Sequence, residues 1–303
     1  MARASIAMTE NWPDLLDSRF QKIYQTEYQE NIKESMIEML YGMRTSTKNY
    51  EKLSGAGGGA DLEVFDGQLS YDTISQLYDV EVSFPEKAKG MKIQKMLYDD
   101  DLFGIMDQRP RNLAIDVART REKEAAGTFN NAFVGTGGGD SVSLCNSSHP
   151  YSPDDGTTQS NAGSTAISAA QIEVIRRYAH TSVFNDRGEL ANVNYDLILC
   201  TVANEETAWE IINSKGKVDT DNNNRNFHYG RYKLAVWDRL TDSNNWFFLD
   251  SRLMKQFNLW YTRIAPYFGM DRDFETFQAK WFAYKREGQV FADHRWIYGQ
   301  NVA

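Results

Sequence analysis

The chain has 303 residues, 25 % of them charged and 13 % aromatic, with a formal net charge of −9 and two cysteines, Cys145 and Cys200. That length can bury a sizeable core, as one large domain or two intertwined ones. The acidic balance excludes a dedicated nucleic-acid reader, which carries a basic excess, and two cysteines make no disulfide framework, so a reducing compartment is the default.

The opening residues Met1 to Glu10 lack an apolar h-region. No run of about 18 apolar residues occurs, so neither a signal peptide nor a transmembrane helix is expected. Residues 1 to about 24 scatter Trp12, Leu15, Leu16, Phe20 and Ile23 among polar residues. That pattern suits an arm docked on a neighbour, or a terminus packed on its own domain. Residues 25–43 read as a helix, because Tyr28, Ile32, Met36, Met39, Leu40 and Met43 recur at three- and four-residue spacing.

Ser54-Gly-Ala-Gly-Gly-Gly-Ala60 reads as a flexible connector. Beyond it, Tyr78, Val80, Val82 and Phe84 alternate with polar residues. Pro85 to Gly90 looks like a turn, and Met91, Ile93 and Lys95 alternate again. The pattern predicts a hairpin with a polar tip over 61–97. A hairpin is marginal alone in water, so it must lie against something else.

Pro110 fits a first helical turn, and Leu113, Val117, Ala118, Ala125, Phe129 and Ala132 form an apolar stripe after it. The helix starts near Gln108 to Pro110 and runs about 24 residues, or roughly 36 Å, until Gly135 to Gly139 end it. Residues 136–165 read as a long polar loop of functional or mobile character. Ser168-Ala-Ala-Gln171 is a capping box opening a helix with Ile172, Ile175 and Ala179. Tyr195 to Thr201 is a short buried strand, Asn204 caps a helix through Trp209 and Ile212, and 213–226 is a second polar loop. Strands follow near 229–237 and 246–250.

At the end of the chain, Phe277, Ala279, Trp281 and Ala283 fall on one face of an extended segment and Gln278, Lys280, Phe282 and Tyr284 on the other. A second strand, Val290 to Tyr298, follows Gly288. The fold class is α+β, with two nested lobes and two long projections.

Motifs for chemistry are weak. Gly55 to Ala60 formally fits a dinucleotide fingerprint but lacks the preceding buried strand and following helix. Gly135 to Asp140 follows a helix and lacks the Lys-Ser/Thr of a phosphate loop. Cys145 and His149 have no second ligand pair, which favours a buried cysteine and a loop histidine over a metal site. Ser147, Ser148, His149 and Asp154 invite a hydrolase triad without a nucleophile elbow. Asp99-Asp100-Asp101 either binds a divalent cation or, as we prefer, places negative charge ahead of a helix N-terminus. Accordingly no catalytic, cofactor or metal residue is assigned.

Four landmarks recur in order along the chain: Tyr98-Asp-Asp-Asp-Leu-Phe-Gly104 before the long helix, Leu144-Cys-Asn-Ser-Ser-His-Pro150 before a polar stretch, Arg272-Asp-Phe274, and Arg295-Trp-Ile-Tyr-Gly299. Together with the aromatic and basic strand between the last two, they resemble the major capsid proteins of tailed bacteriophages, with the HK97-like fold.

The resemblance implies a structural protein rather than an enzyme. It implies an N-terminal arm and helix at 1–48, an extended hairpin (the E-loop) with its glycine linker at 49–97, and a peripheral domain with a long spine helix at 98–184. A compact axial domain at 185–265 and closing strands of the peripheral domain at 266–303 complete it. Trp12, Leu15 and Phe20 in the arm, and Tyr78, Val80, Phe84, Lys87, Lys89 and Lys92 in the hairpin, become expected contacts to neighbouring copies. Some proteins of this fold also join a hairpin lysine to a neighbour's asparagine with help from a glutamate. Lys87, Lys89 or Lys92 with Asn301 would be the counterparts, though no motif singles them out, and lysines equally keep an exposed tip soluble.

The expected partners are other copies in hexamers and pentamers of an icosahedral shell, a separate scaffolding protein, a portal protein, a decoration or cement protein, and packaged double-stranded DNA held without sequence-specific contacts. No membrane partner is expected. The expected location is the virion, after assembly in the bacterial cytoplasm. Two rivals share parts of the pattern: an encapsulin-type compartment shell, and a soluble hydrolase or ligand-binding enzyme with its site on loop 136–165.

Overall fold

In a computed structural model the described residues are 12–59, 61, 62, 64, 65, 67, 69, 71, 75–94, 107–216, 224–273 and 278–303. In chain order they form α1 (Trp12–Lys33), α2 (Ile37–Leu40), β1 (Gly42–Thr45), β2 (Tyr50–Ala56), β3 (Gln76–Ser83), β4 (Glu86–Gln94) and α3 (Gln108–Asn130). Next come β5 (His149–Ser152), β6 (Asp155–Gln159), β7 (Ala162–Gly163), α4 (Ala169–Thr181), β8 (Leu197–Cys200), α5 (Glu205–Asn213), β9 (Lys233–Val236) and β10 (Trp246–Leu249). The chain closes with α6 (Ser251–Phe257), β11 (Asn258–Asp273), β12 (Gln278–Phe291) and β13 (Ile297–Gln300). Two compact units result. One contains α1 with residues 84–123 and 262–287; the other contains residues 36–83, 124–261 and 288–303. α3, β11 and β12 each pass from one unit into the other.

In the first unit, β12 pairs antiparallel with β4 from Glu86↔Arg286 to Gln94↔Gln278, and β11 lies on the other side of β12. Phe20, Tyr24 and Tyr28 of α1, spaced four apart, bury against Leu113, Ala114 and Ala118 of α3 and Ile93, Phe268, Trp281 and Ala283 of the sheet. Phe20 meets Trp281 edge-on with ring centroids 5.4 Å apart. That row of aromatics extends the helix back through the segment read from sequence as an irregular arm. Pro13 is accommodated because it lies in the first turn. The helix predicted over 25–43 is likewise two helices. The break comes at Ser35, whose hydroxyl donates to Glu122 at 2.5 Å.

β4 is the partner of β12, not of β3, which corrects the predicted hairpin. Phe84 precedes Pro85 and is therefore held extended, so the chain runs on instead of reversing. The buried face of β12 follows the predicted alternation through Trp281 and Ala283, then continues with Lys285 and Glu287, each 4 % exposed. Charges can occupy that face because Glu287 accepts from Arg121 Nε at 2.9 Å and from Lys285 Nζ at 3.1 Å. The strand therefore runs through Gly288 to Phe291, where the sequence had suggested a break.

In the second unit the sheet order is β7-β13-β10-β8-β9. β10 is antiparallel to β8 and β13, while β8–β9 and β13–β7 are parallel. Every residue of β8 and β10 is buried. Leu197, Leu199, Phe247 and Leu249 face a core with Tyr41, Phe129, Trp260 and Trp296. Ile198, Cys200, Trp246 and Phe248 face α4 and α5 through Ile172, Ile175, Ala208 and Ile211. Cover on both faces explains why Leu-Ile-Leu-Cys and Trp-Phe-Phe-Leu read as unbroken apolar runs.

Ser168 caps α4 as predicted, accepting from Gln171 N at 3.2 Å. Asn204 does not cap α5. Its amide donates instead to the Ser243 and Asn244 carbonyls, and a 3₁₀ turn, Val202–Asn204, leads into the helix. The stretch read as a polar loop contains the β5–β6 hairpin and β7.

Asp250 caps α6 by accepting from Arg252 N at 3.0 Å and Leu253 N at 2.9 Å, and also accepts from Asn194 N at 2.8 Å. Asp250→Ala is expected to reduce unfolding free energy by about 2 kcal/mol, the upper end for a cap, because the carboxylate is buried and serves a second segment. Urea titration checks this; a loss under about 0.5 kcal/mol would mean that water replaces the cap.

Candidate functional site

β2 and β3 form an antiparallel hairpin from Tyr50↔Ser83 to Ala56↔Gln76, with a bulge between Ser54 and Ala56. Its glycines are packing devices rather than a loose linker. A Cβ on Gly55 would lie 2.8 Å from Leu77 Cβ, and one on Gly57 would lie 2.6 Å from Asp186 Oδ2. Gly58 N donates to Asp186 Oδ2 at 3.1 Å, and Arg187 Nε donates back to Gly58 O at 2.6 Å.

Beyond that docked root, the connecting loop displays Leu62 (102 % exposed), Val64 (95 %), Phe65 (69 %), Leu69 (69 %) and Tyr71 (89 %). Scattered exposed apolar side chains need no explanation, but five within ten residues of one connection mark an interaction surface.

The residues expected from sequence to touch neighbours divide into groups. Phe20, Val80 and Phe84 are buried within the chain, at 1 %, 7 % and 2 % exposure, which corrects their reading as outward contacts. Tyr78 is half-buried at the hairpin root. Lys87, Lys89 and Lys92 are exposed, but they lie along β4, the edge strand of its sheet, rather than on a hairpin tip. Lys89 pairs with Asp116. Lysine along a strand edge also discourages unwanted strand pairing. Trp12 and Leu15 lie in α1, their side chains not among those described, and Lys95 and Asp99 to Asp101 lie outside the described residues.

The sequence placed His149 beside Cys145 or Ser147 and Ser148. The structure gives it other company. His149 Nδ1 lies 2.6 Å from Asp140 Oδ2, and its ring stacks on His294 at 3.7 Å between centroids and 8° between planes. His294 Nδ1 lies 3.9 Å from the same carboxylate oxygen. Burial works against the Asp140 carboxylate, but the His149 hydrogen bond and both histidines outweigh it and hold its pKa below the usual range. Burial, and next His149, pushes the His294 imidazole down to about 3. The cluster borders a cleft of about 430 Å³ lined by Tyr78, Gly139, Asp140, Tyr151, His294 and Arg295 among others. Ser147, Ser148 and Asp154 are exposed, whereas His149 is fully buried, so no hydrolase triad forms there. Burial raises the Cys145 thiol well above its ordinary range.

Among the described residues, Asp140, His149 and His294 form the group whose ligand-type atoms could reach one ion. Two features oppose a metal. The rings are parallel, so their in-plane lone pairs do not converge. In addition, His294 Nε2 faces the Gln159 amide nitrogen at 3.2 Å. That amide is oriented by Phe184, whose N–H donates to Gln159 Oε1 at 2.9 Å and whose carbonyl accepts from Gln159 Nε2 at 3.2 Å. His294 Nε2 is therefore the acceptor and Nδ1 carries the proton. A metal on Nδ1 would force a proton onto Nε2, against a donor.

Comparison with known proteins agrees with the architecture. A family model described as phage capsid protein matches residues 87–299. The capsid of the cyanophage P-SCSP1u superposes with a TM-score of 0.59 at 10 % identity, over 88 % of this chain and 87 % of that chain. The mature capsid of bacteriophage PhiM1 gives a TM-score of 0.59 at 9 % identity, over 89 % and 87 %. Mycobacterium phage Patience gives 0.58 at 10 %, over 95 % and 88 %. A search of curated protein sequences finds no match. The fold is the HK97-like capsid fold, and with the family match covering most of its length the chain belongs to the phage capsid protein family as a structural major capsid protein.

Proposed function

We propose that copies of this chain associate as hexamers and pentamers of an icosahedral shell around double-stranded DNA, and that the β2–β3 hairpin is the arm each subunit lays on its neighbour. The observation that carries this reading is the run of exposed apolar side chains from Leu62 to Tyr71 on a hairpin whose root is fixed to its own subunit. Exposed apolar area of that kind is stabilised only when a partner covers it.

In this reading residues 49–97 supply the arm and the flanking edge strand, and 98–184 supply the peripheral domain with α3 as its spine. Residues 185–265 supply the axial domain, and 266–303 supply the closing strands. α1 replaces the loose N-terminal arm. The role is structural, without catalysis. A scaffolding protein, a portal and a decoration protein complete the head, and the net charge of −9 leaves the DNA to bring its own counterions. Assembly takes place in the host cytoplasm.

The test is size-exclusion chromatography and negative-stain microscopy of the chain alone and with its scaffolding protein. Shells, tubes or rings of five and six support the reading. A chain that stays monomeric with the scaffolding protein present would sink it.

A further inference from the structure

The buried histidine pair joins three segments: the loop after α3 through Asp140, β5 through His149, and the turn before β13 through His294. The loop carrying Asp140 also supports the hairpin. At Gly139 a Cβ would stand 2.5 Å from Tyr78 Cβ and 3.0 Å from Val80 Cγ2, so the backbone is pressed against β3. Gly137 and Gly138 lie equally close to the Phe291 ring. Loosening the histidine cluster thus loosens the surface on which the hairpin root rests.

The hydrogen bonding admits the neutral state only. His294 Nε2 accepts from the Gln159 amide, and that amide cannot rotate without pointing a donor at the Phe184 N–H. A second proton on His294 must go to Nε2, where it meets an N–H₂ group. The resulting cation would also lie against the stacked His149 ring and beside the Arg295 guanidinium. The favourable charges are Asp140, already engaged by His149, and Asp293, whose Oδ1 is 3.7 Å from His294 Nδ1 but whose Oδ2 is bonded to Arg295 Nη1 at 2.7 Å. His149 Nε2 is buried without a partner among the described residues.

We propose that Asp140, His149, Gln159 and His294 form an acid-sensitive clasp, closed at neutral pH, whose opening on acidification frees the root of the β2–β3 hairpin. The folded His294 stays neutral down to about 3, whereas an exposed imidazole takes its proton near 6.5. Between those values the opened state binds the additional proton. The opening equilibrium therefore rises toward tenfold per pH unit as pH falls through that window, and about 30-fold in all between pH 7.5 and 5.0. This clasp is independent of whether the hairpin is the assembly arm.

The test is hydrogen–deuterium exchange by mass spectrometry on the full chain at pH 7.5, 6.0 and 5.0, corrected for intrinsic exchange. Peptides covering 138–151, 291–297 and 76–80 are expected to open about 30-fold more at pH 5.0 than at 7.5. His294→Gln keeps an amide that can both accept and donate there, and it should abolish the pH response in those peptides. Gln159→Glu keeps the acceptor for Phe184 N–H and offers His294 a carboxylate. It should reduce the acid response without removing the histidine, which keeps the test alive should the first variant fold poorly. A wild-type chain with no acid response, or an equal response in Gln159→Glu, overturns the clasp. So does protection of the same peptides by added Zn²⁺ at pH 7.5, because the cluster would then be a metal site.

Discussion

Replacing Leu62, Val64, Phe65 and Leu69 together with serine is expected to leave a folded subunit that forms no shells. The four side chains are 69–102 % exposed in the isolated chain, so the folded subunit loses no packing with them, and its melting temperature should stay within about 2 °C of the parent. Association is where they act. Burying each against a neighbour contributes about 1.5–3 kcal/mol, and every 1.4 kcal/mol is about tenfold in an association constant. Removing four of them therefore raises the concentration needed for assembly by more than about a thousandfold. Circular dichroism melting reads the first expectation, and light scattering with microscopy reads the second. Phe84→Ala provides the contrast. That ring is 2 % exposed, and its removal should cost about 3–5 kcal/mol of subunit stability before assembly is reached. Shells of normal size from the serine variant would take the loop out of assembly, and an unfolded variant would place the loop in the subunit's own core.

The contrast between Leu62 and Phe84 also shows what a sequence can and cannot reveal about this fold. Periodicity marks which residues alternate, and it located β3, β12 and the length of α3 well. It does not say which strand an alternating segment pairs with. β4 was assigned to β3 because the two are adjacent, but its partner lies nearly two hundred residues on, at β12. The apolar loop is hard to read in a sequence because Leu62, Val64, Phe65, Leu69 and Tyr71 carry no recognisable period, and their significance lies in exposure, which depends on everything around them. Likewise His149 was weighed against Cys145 and Ser148 because they are near in sequence. His294 and Asp140 became its neighbours only when the loop after α3, β5 and the turn before β13 converged. Local devices fared better. The Ser168 cap was legible from four residues, since a capping box is complete within one helical turn. The Asp250 cap is not legible in this way, because its helix is short and opens directly from the buried strand β10.

Glu287→Gln should destabilise the first unit by about 3–5 kcal/mol, far more than the near-isosteric change suggests. Glu287 has a side chain that is 1 % exposed, and its carboxylate accepts from Arg121 and Lys285, whose side chains are 10 % and 5 % exposed. Thr262 Oγ1 reaches its other oxygen at 3.4 Å. Arg121 in turn donates from Nη1 to the Tyr28 hydroxyl at 2.9 Å, tying α1 to α3 and β12. Burial opposes the Arg121 charge, but Glu287 and Tyr28 outweigh it and keep the guanidinium protonated. Burial pushes the Tyr28 hydroxyl up to about 12, so that group stays neutral and supplies no replacement charge. The amide variant would leave two buried cations without their shared carboxylate, and desolvation then dominates because the Coulombic compensation is gone. The partners are out of water, so the loss should change little between low and high salt, unlike that of the exposed Lys89–Asp116 pair. Replacing the group as a whole, with Arg121→Met, Lys285→Met and Glu287→Leu, should recover most of the stability, because no unpaired charge remains and the long apolar side chains fill the same space. Urea unfolding of the three variants at two salt concentrations measures this. A loss under about 1 kcal/mol for Glu287→Gln would mean that water reaches the cluster. A triple variant no better than the single would mean that α1 is held by the geometry of these hydrogen bonds rather than by burial of the surrounding aromatic row.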